Sequence, residues 1–176
     1  KQLCRVGVSI TTLDRTLARK MEPRAATPSK RYETVKALSE QGIPVTVMAA
    51  PIIPALNESE LEILLETAKL NGAIGAGYVL LRLPFELKDL MHEWLAQHYP
   101  DRAARVINLL REMRGGKDYD PDWFTRGAGT GPHAKLIAQR FARTIKRLHL
   151  LPNRTPLRTD LFQPPVLRGG QYRMDI

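Results

Sequence analysis

Three short apolar runs, each separated from the next by a helical pattern, constrain the fold of this chain more than any other feature of its sequence. The runs cover residues 6–10, 45–50 and 77–83. Strands that alternate with helical patterns of about 10 to 15 residues are typical of βαβ units, because parallel neighbours need a long crossover connection. The sequence therefore predicts an α/β fold with about three parallel strands.

Both intervals between the runs carry helix signals at their ends. Thr27 followed by Pro28 is a favoured helix start, and Gly42 is a favoured stop. Asn57 and Glu60, three residues apart, form a capping-box-like pair that predicts the start of the second helix. Both crossover connections are therefore predicted to be helical.

Beyond residue 83 the pattern is helical, and the end of the chain is rich in Pro and Gly. We predict a β/α half-barrel at 1–98, a helical extension at 99–150 and a Pro/Gly-rich extended tail at 151–176. Three strands are few for a parallel sheet, and the first run begins almost at residue 1. We therefore expect earlier strands upstream of this sequence.

The composition excludes several classes of protein. No apolar run approaches the roughly 18 residues that cross a bilayer, and no signal peptide opens the sequence, so we expect a cytoplasmic protein without a membrane partner. The single cysteine, Cys4, cannot form an internal disulfide. The four scattered histidines show no metal-ligand spacing, and no catalytic triad or paired-carboxylate motif is present, so no metal site or hydrolase is predicted.

The positive charge is concentrated in the second part of the chain. The net charge is +9, and residues 100–176 hold 15 Lys and Arg against 7 Asp and Glu. Arg140, Arg143 and Arg147 lie at helical spacing and predict a basic stripe. Nucleic acid is therefore a candidate partner, and the alternative is a solvated helix face.

Polar and small residues follow the first two runs, where parallel strands place their carboxyl ends at one edge. Ser9 and Thr11 could hydrogen-bond a polar cofactor there, or could simply cap the strand. The segment 50–54 combines a small residue with two prolines, which suits the close approach of a flat ring and equally suits a rigid turn. Glu22 and Arg31 could form a bidentate pair that orders the loop, or could face a substrate.

Four segments in this order and spacing resemble one enzyme family. They are the strand at 8–12, Met-Glu-Pro-Arg-Ala at 21–25, Pro-Ser-Lys-Arg at 28–31 and Ala-Pro-Ile-Ile-Pro at 50–54. Together they resemble the radical SAM enzymes of the DNA repair photolyase-like group, which is related to spore photoproduct lyase. The resemblance extends over essentially the whole chain.

The resemblance implies a fold, a reaction and site residues. The fold would be the C-terminal half of a partial (β/α)6 TIM-like barrel with a helical C-terminal extension. The full-length enzyme would cleave S-adenosylmethionine reductively at a 4Fe-4S cluster and abstract hydrogen from a substrate, in a lyase-like reaction. Ser9 matches the family serine that contacts the methionine part, Thr11 lies beside it, and Ala50, Pro51 and Ile52 would line the adenosine pocket. A nucleic-acid substrate follows only by analogy with the related lyase.

One departure from the family pattern is large. The Cys-x-x-x-Cys-x-x-Cys loop that holds the cluster does not occur in this sequence. We therefore expect the 176-residue chain alone to bind no cofactor and to be inactive, with the N-terminal half of the barrel as its partner. A homodimer that pairs two copies along the first strand is a further expectation. Two alternatives stay open: a basic nucleic-acid-binding module without radical chemistry, and half of a conventional barrel enzyme that acts on a phosphorylated metabolite.

Overall fold

A computed structural model describes residues 4–122 and 125–152, together with Leu157, Asp160 and Phe162. Within this part of the chain, four strands form one sheet in the order β1-β2-β3-β4, and six α-helices accompany them. The elements are β1 (Val6–Ile10), α1 (Arg15–Met21), α2 (Pro28–Glu40), β2 (Val45–Ile52), α3 (Leu61–Leu70), β3 (Gly75–Leu80), α4 (Leu87–His98), α5 (Pro100–Glu112), α6 (Gly131–Arg147) and β4 (Leu151–Pro152).

All neighbouring strands are parallel, as the sequence predicts. Val6 lies opposite Val45 and Ile10 opposite Ala49, so β1 and β2 end at the same edge. The α/β class and the parallel sheet are confirmed, and no more than four strands of a barrel are present in the described residues. The half-barrel therefore stays a proposal.

The short strand β4 was not predicted. It pairs Leu151 and Pro152 with the start of β3, at the outer edge of the sheet. A two-residue strand that contains proline has no periodicity to detect, and proline is tolerated at sheet edges. Gly75 permits the approach, because a Cβ at this position would lie 2.9 Å from the Leu151 carbonyl oxygen. Most of the predicted tail at 151–176 lies outside the described residues.

The helix starts show which local signals are reliable. Thr27 caps α2 and Pro28 opens it, as predicted. The helix α1 was not predicted, and Asp14 caps it by accepting a hydrogen bond from the Thr16 N–H at 2.7 Å. The predicted capping box at Asn57 and Glu60 is wrong: a 3-10 turn occupies Glu58–Glu60, and neither side chain caps α3.

One hydrophobic core joins the sheet to the helical extension. Ile10, Val47 and Leu80 are fully buried in the sheet, and Leu110 and Ile137 are buried on α5 and α6. Since these side chains belong to one continuous cluster, the helical extension packs directly on the β/α part. None of the helices in the described ranges has the length and apolar character required to cross a membrane.

Candidate functional site at the carboxyl ends of β1 and β2

The parallel register brings the predicted hydroxyl residues and the Ala50 segment together. The Ser9 hydroxyl donates to the Ala50 carbonyl oxygen at 3.0 Å, and the Thr11 hydroxyl lies 3.1 Å from the same oxygen. Ser9 is exposed, whereas Thr11 is buried. Ser9 can therefore meet a ligand directly, and Thr11 contacts only the protein.

Ala50, Pro51 and Ile52 lie next to these hydroxyls but differ in accessibility. Ala50 and Pro51 are half-buried, and the Ile52 side chain is packed in the core. Ile52 can therefore offer only backbone atoms to a ligand. The small Ala50 side chain leaves this edge of β2 open to a flat group.

Glu22 and Arg31 form an ion pair that orders the loop after β1. The guanidinium is 14% exposed and donates to three different oxygens: Glu22 Oε2 at 3.0 Å, the Ser9 carbonyl at 2.8 Å and the Ala26 carbonyl at 3.0 Å. The predicted bidentate geometry is wrong, because only one carboxylate oxygen is used, and Thr11 donates to that same oxygen at 3.0 Å. The pair thus joins β1, the α1–α2 loop and α2.

Asn57 is a site residue that the sequence analysis missed. Its amide is buried and makes three hydrogen bonds: Oδ1 accepts from the Ile53 N–H at 2.6 Å, and Nδ2 donates to the carbonyls of Thr11 at 2.7 Å and Pro51 at 3.0 Å. One side chain therefore fixes the ends of both strands.

Glu60 holds the chain as it leaves β1. Its Oε2 accepts from the Thr12 hydroxyl at 2.6 Å and from the Leu13 N–H at 2.7 Å. The position of Asn57 and Glu60 just after the Pro-Ile-Ile-Pro segment is a sequence signal for a role at the strand ends. The three-residue interval between them also fits a helix cap, which is what was predicted. We call Ser9, Thr11, Glu22, Arg31, Asn57 and Glu60 the strand-end network.

The predicted basic stripe on α6 meets carboxylates of α3. Arg140 contacts both carboxylate oxygens of Glu62, at 2.7 and 2.6 Å, and Arg147 contacts Glu66 at 2.5 Å. The Arg140 hydrogen bond and the nearby charge of Arg147 hold the pKa of Glu62 below its usual value, although partial burial opposes this. Arg143 alone of the three has no carboxylate partner within the described residues. The stripe was predicted as a candidate nucleic-acid surface, with a solvated face as the alternative, and the pairing of two of its three arginines with α3 was not predicted.

The residues of this chain do not fit an iron–sulfur cluster. Such clusters are held by several cysteine thiolates, and the sequence contains only Cys4. Among the residues that the structure describes, no three histidine, cysteine, aspartate or glutamate side chains form a group that could hold a metal ion. His133 instead pairs with Glu58 at 2.7 Å, between α6 and the 3-10 turn.

Enzymes with parallel β/α sheets bind polar ligands at the carboxyl ends of their strands, which is where Ser9 and Ala50 lie. Residues 1–68 match the family model described as Radical SAM superfamily. The match includes β1, β2 and every residue of the strand-end network.

Three curated relatives were found, two from strains of Mycobacterium tuberculosis and one from Mycobacterium bovis. Each is named as an uncharacterized protein and is 32% identical over 108 residues, which cover 60% of this chain and 32% of the relative. The chain thus spans about a third of the length of the curated relatives that it matches. No solved structure gives a significant match.

Proposed function

We propose that this chain is the part of a radical SAM enzyme that orients S-adenosylmethionine at the carboxyl ends of β1 and β2. The observation that carries the proposal is the coincidence of the family match at 1–68 with the Ser9 and Ala50 cluster. In the complete enzyme S-adenosylmethionine, with a 4Fe-4S cluster held by another part of the polypeptide, would supply the radical chemistry. The residues of this chain bind and orient the cofactor.

The polar atoms at the site fit the methionine end of the cofactor. The Ser9 hydroxyl proton is directed at the Ala50 carbonyl, so the free lone pairs of Ser9 Oγ face outward as acceptors. An ammonium group donates three hydrogen bonds and carries positive charge, so it suits such an acceptor. Ser9 would therefore hold the α-ammonium group of S-adenosylmethionine.

The Ala50 and Pro51 backbone would support the adenosine end. Asn57 holds the Pro51 carbonyl and the Ile53 N–H, so the segment is fixed before a ligand arrives. A rigid backbone beside a small side chain lowers the entropic cost of binding a flat ring. Asn57, Glu60, Glu22 and Arg31 act in this proposal as positioning residues.

The cluster ligands must come from another part of the polypeptide. Because Cys4 is the single thiol here, we propose that an N-terminal half of the barrel supplies the cysteines and pairs along β1. β1 is the first strand of the sheet order, and in the described residues its outer edge carries no further strand. A second copy of the chain is the competing occupant of that edge, and in either arrangement the chain alone would be inactive.

The finer assignment to the photolyase-like group with a lyase-type reaction is also part of the proposal. It is supported by the four segments between residues 8 and 54. A nucleic-acid substrate has less support, because Arg140 and Arg147 are neutralised by Glu62 and Glu66.

The test of this function is cofactor binding by the complete enzyme with Ser9→Ala. Loss of one hydrogen bond to a charged group should weaken S-adenosylmethionine binding by about 10- to 150-fold, measured by calorimetry. Thr34→Ala is the matched control, because it removes an exposed hydroxyl that bonds only within α2. Equal affinity for the Ser9 variant and the wild type would remove Ser9 from the site.

A further inference from the structure

A second concave surface lies beside the strand-end network, between the segment after β3 and helix α4. It is a groove of about 220 Å³, and its walls are apolar apart from Arg82. The apolar lining includes Met21, Leu83, Leu87, Leu90, Met91 and Trp94. Met21 directly precedes Glu22, so the end of α1 forms a wall of the groove and also reaches the candidate cofactor site.

The mouth of this groove exposes more apolar surface than a helix start normally does. Leu87 is 45% exposed and Leu90 is 54% exposed. Phe85, just before α4, is almost fully exposed and has a φ of 52°, a left-handed conformation that is rare for a bulky residue. Strained, exposed residues of this kind persist mainly at functional sites.

Arg82 is the one polar side chain of the groove, and its charge is not matched by a carboxylate of the described residues. Its Nη2 lies 3.3 Å from the Tyr119 hydroxyl, and its guanidinium carbon lies 6.0 Å from the centre of the Tyr119 ring. Its Nε is buried without a hydrogen-bond partner. A half-buried guanidinium without a carboxylate partner would be stabilised by a ligand that supplies an acceptor oxygen.

The two carboxylates that flank Tyr119 in the sequence are already engaged elsewhere. Asp118 pairs with Arg111 at 2.5 Å and with Lys88 at 3.5 Å, and Asp120 accepts from the Thr125 hydroxyl at 2.6 Å. A second guanidinium adds to the positive charge: Arg114 is buried and donates to the Leu81 and Thr125 carbonyls. Burial lowers the pKa of Arg114, Asp120 opposes this shift, and the neighbouring charge of Arg82 adds to it.

We propose that this groove binds an organic anion, with the apolar part of the ligand against α4 and its carboxylate or phosphate held by Arg82. The guanidinium suits both anions, because its parallel N–H groups match two acceptor oxygens. If the proposed function is correct, this ligand is the substrate, held next to the cofactor at the same edge of the sheet. The proposal as substrate rests on that function, whereas binding itself does not.

Calorimetry with three eight-carbon probes tests the proposal. Octanoate and octyl phosphate carry the anion, and octanol presents the same chain without charge. We expect the better of the two anions to bind at least about 10-fold more tightly than octanol, as is typical of a charge-assisted hydrogen bond. The stronger anion identifies the headgroup as carboxylate or phosphate.

Two variants and one control separate the groove from general effects. Arg82→Gln should abolish the preference for the anion, whereas Arg105→Gln on the exposed face of α5 should retain it. Leu90→Glu, at a half-exposed position, should weaken all three probes while circular dichroism shows an unchanged fold. Equal binding of octanol and the anions, binding of none of the three, or a preserved preference in the Arg82 variant would overturn the proposal. S-adenosylmethionine is absent from these titrations, so failure here is distinct from failure of the Ser9 test.

Discussion

The strand-end network and the contact between α3 and α6 are both built from charged and polar side chains, yet they differ in what those side chains hold. In the network, Arg31 and Asn57 bond mainly to backbone groups of separate segments. Between the helices, which we call the α3–α6 seam, Glu62 and Glu66 of α3 pair directly with Arg140 and Arg147 of α6. The first arrangement fixes backbone at the end of a sheet, and the second fastens one helix to another.

The side chains of the network are also less exposed to solvent than those of the seam. Asn57 is 4% exposed and Arg31 14%, whereas the Arg147 and Glu66 side chains are 56% and 39% exposed. Polar bonds that are shielded from water contribute more to stability, because leaving a buried partner unpaired is expensive. Substitutions should therefore have larger effects in the network than in the seam.

Asn57→Ala should have the largest effect. It leaves the Ile53 N–H and the Thr11 and Pro51 carbonyls without their partner, so we expect the free energy of unfolding to fall by roughly 3 kcal/mol or more. Urea unfolding followed by circular dichroism measures this change. Asn71→Ala is the control: its amide bonds only to Thr67 within α3, and about 1 kcal/mol or less is expected. Equal losses for the two variants would contradict the larger contribution expected of the buried Asn57 contacts.

A pair of double-mutant cycles should give the next largest effect. In the network the cycle uses Arg31→Met with Glu22→Gln, and in the seam it uses Arg147→Met with Glu66→Gln. We expect a coupling energy of about 1.5 to 3 kcal/mol for the shielded, charge-assisted pair and about 0.2 to 1 kcal/mol for the exposed pair. Urea unfolding of all variants measures both values, and a larger coupling in the seam would reverse the comparison.

The sequence predicts the framework well because strand and helix signals are local. The apolar runs place β1, β2 and β3, and the Thr27-Pro28 pair places the start of α2. The predicted resemblance to the radical SAM superfamily is also supported by the family match at residues 1–68. These signals depend on neighbouring residues alone, so they survive without knowledge of the fold.

The seam could not be predicted from local patterns. Glu62 and Glu66 lie four residues apart on α3, and Arg140 and Arg147 lie seven apart on α6, so each pair lies on one face of its own helix. Their partnership depends on α6 packing against α3, which no spacing within either segment reveals. For this reason the stripe on α6 was interpreted as a candidate nucleic-acid surface or a solvated face, and its pairing with α3 was not predicted.

Asn57 and Glu60 were misassigned for a related reason. An Asn-x-x-Glu pattern before an apolar helical segment has the form of a capping box. Here the chain bends through a 3-10 turn first. Asn57 contacts the ends of β1 and β2, and Glu60 contacts the segment just after β1, so neither side chain caps α3. The competing tertiary contacts decided the outcome, and they involve residues about 46 to 48 positions away in the sequence.

The smallest expected effect concerns the residual affinity of the chain for single-stranded DNA. Each phosphate contact on a single strand contributes a slope of about −0.7 to log K against log salt concentration. Arg143 is exposed and has no carboxylate partner among the described residues, so Arg143→Gln should reduce the steepness of the slope by about 0.7. Arg147→Gln should leave the slope unchanged, because Glu66 already neutralises that guanidinium. Fluorescence anisotropy at several salt concentrations measures both slopes. If the steepness of the slope also falls by about 0.7 in the Arg147 variant, the Arg147–Glu66 pair opens to bind phosphate. The seam would then not be a closed contact between α3 and α6, and its contrast with the shielded network would be wrong.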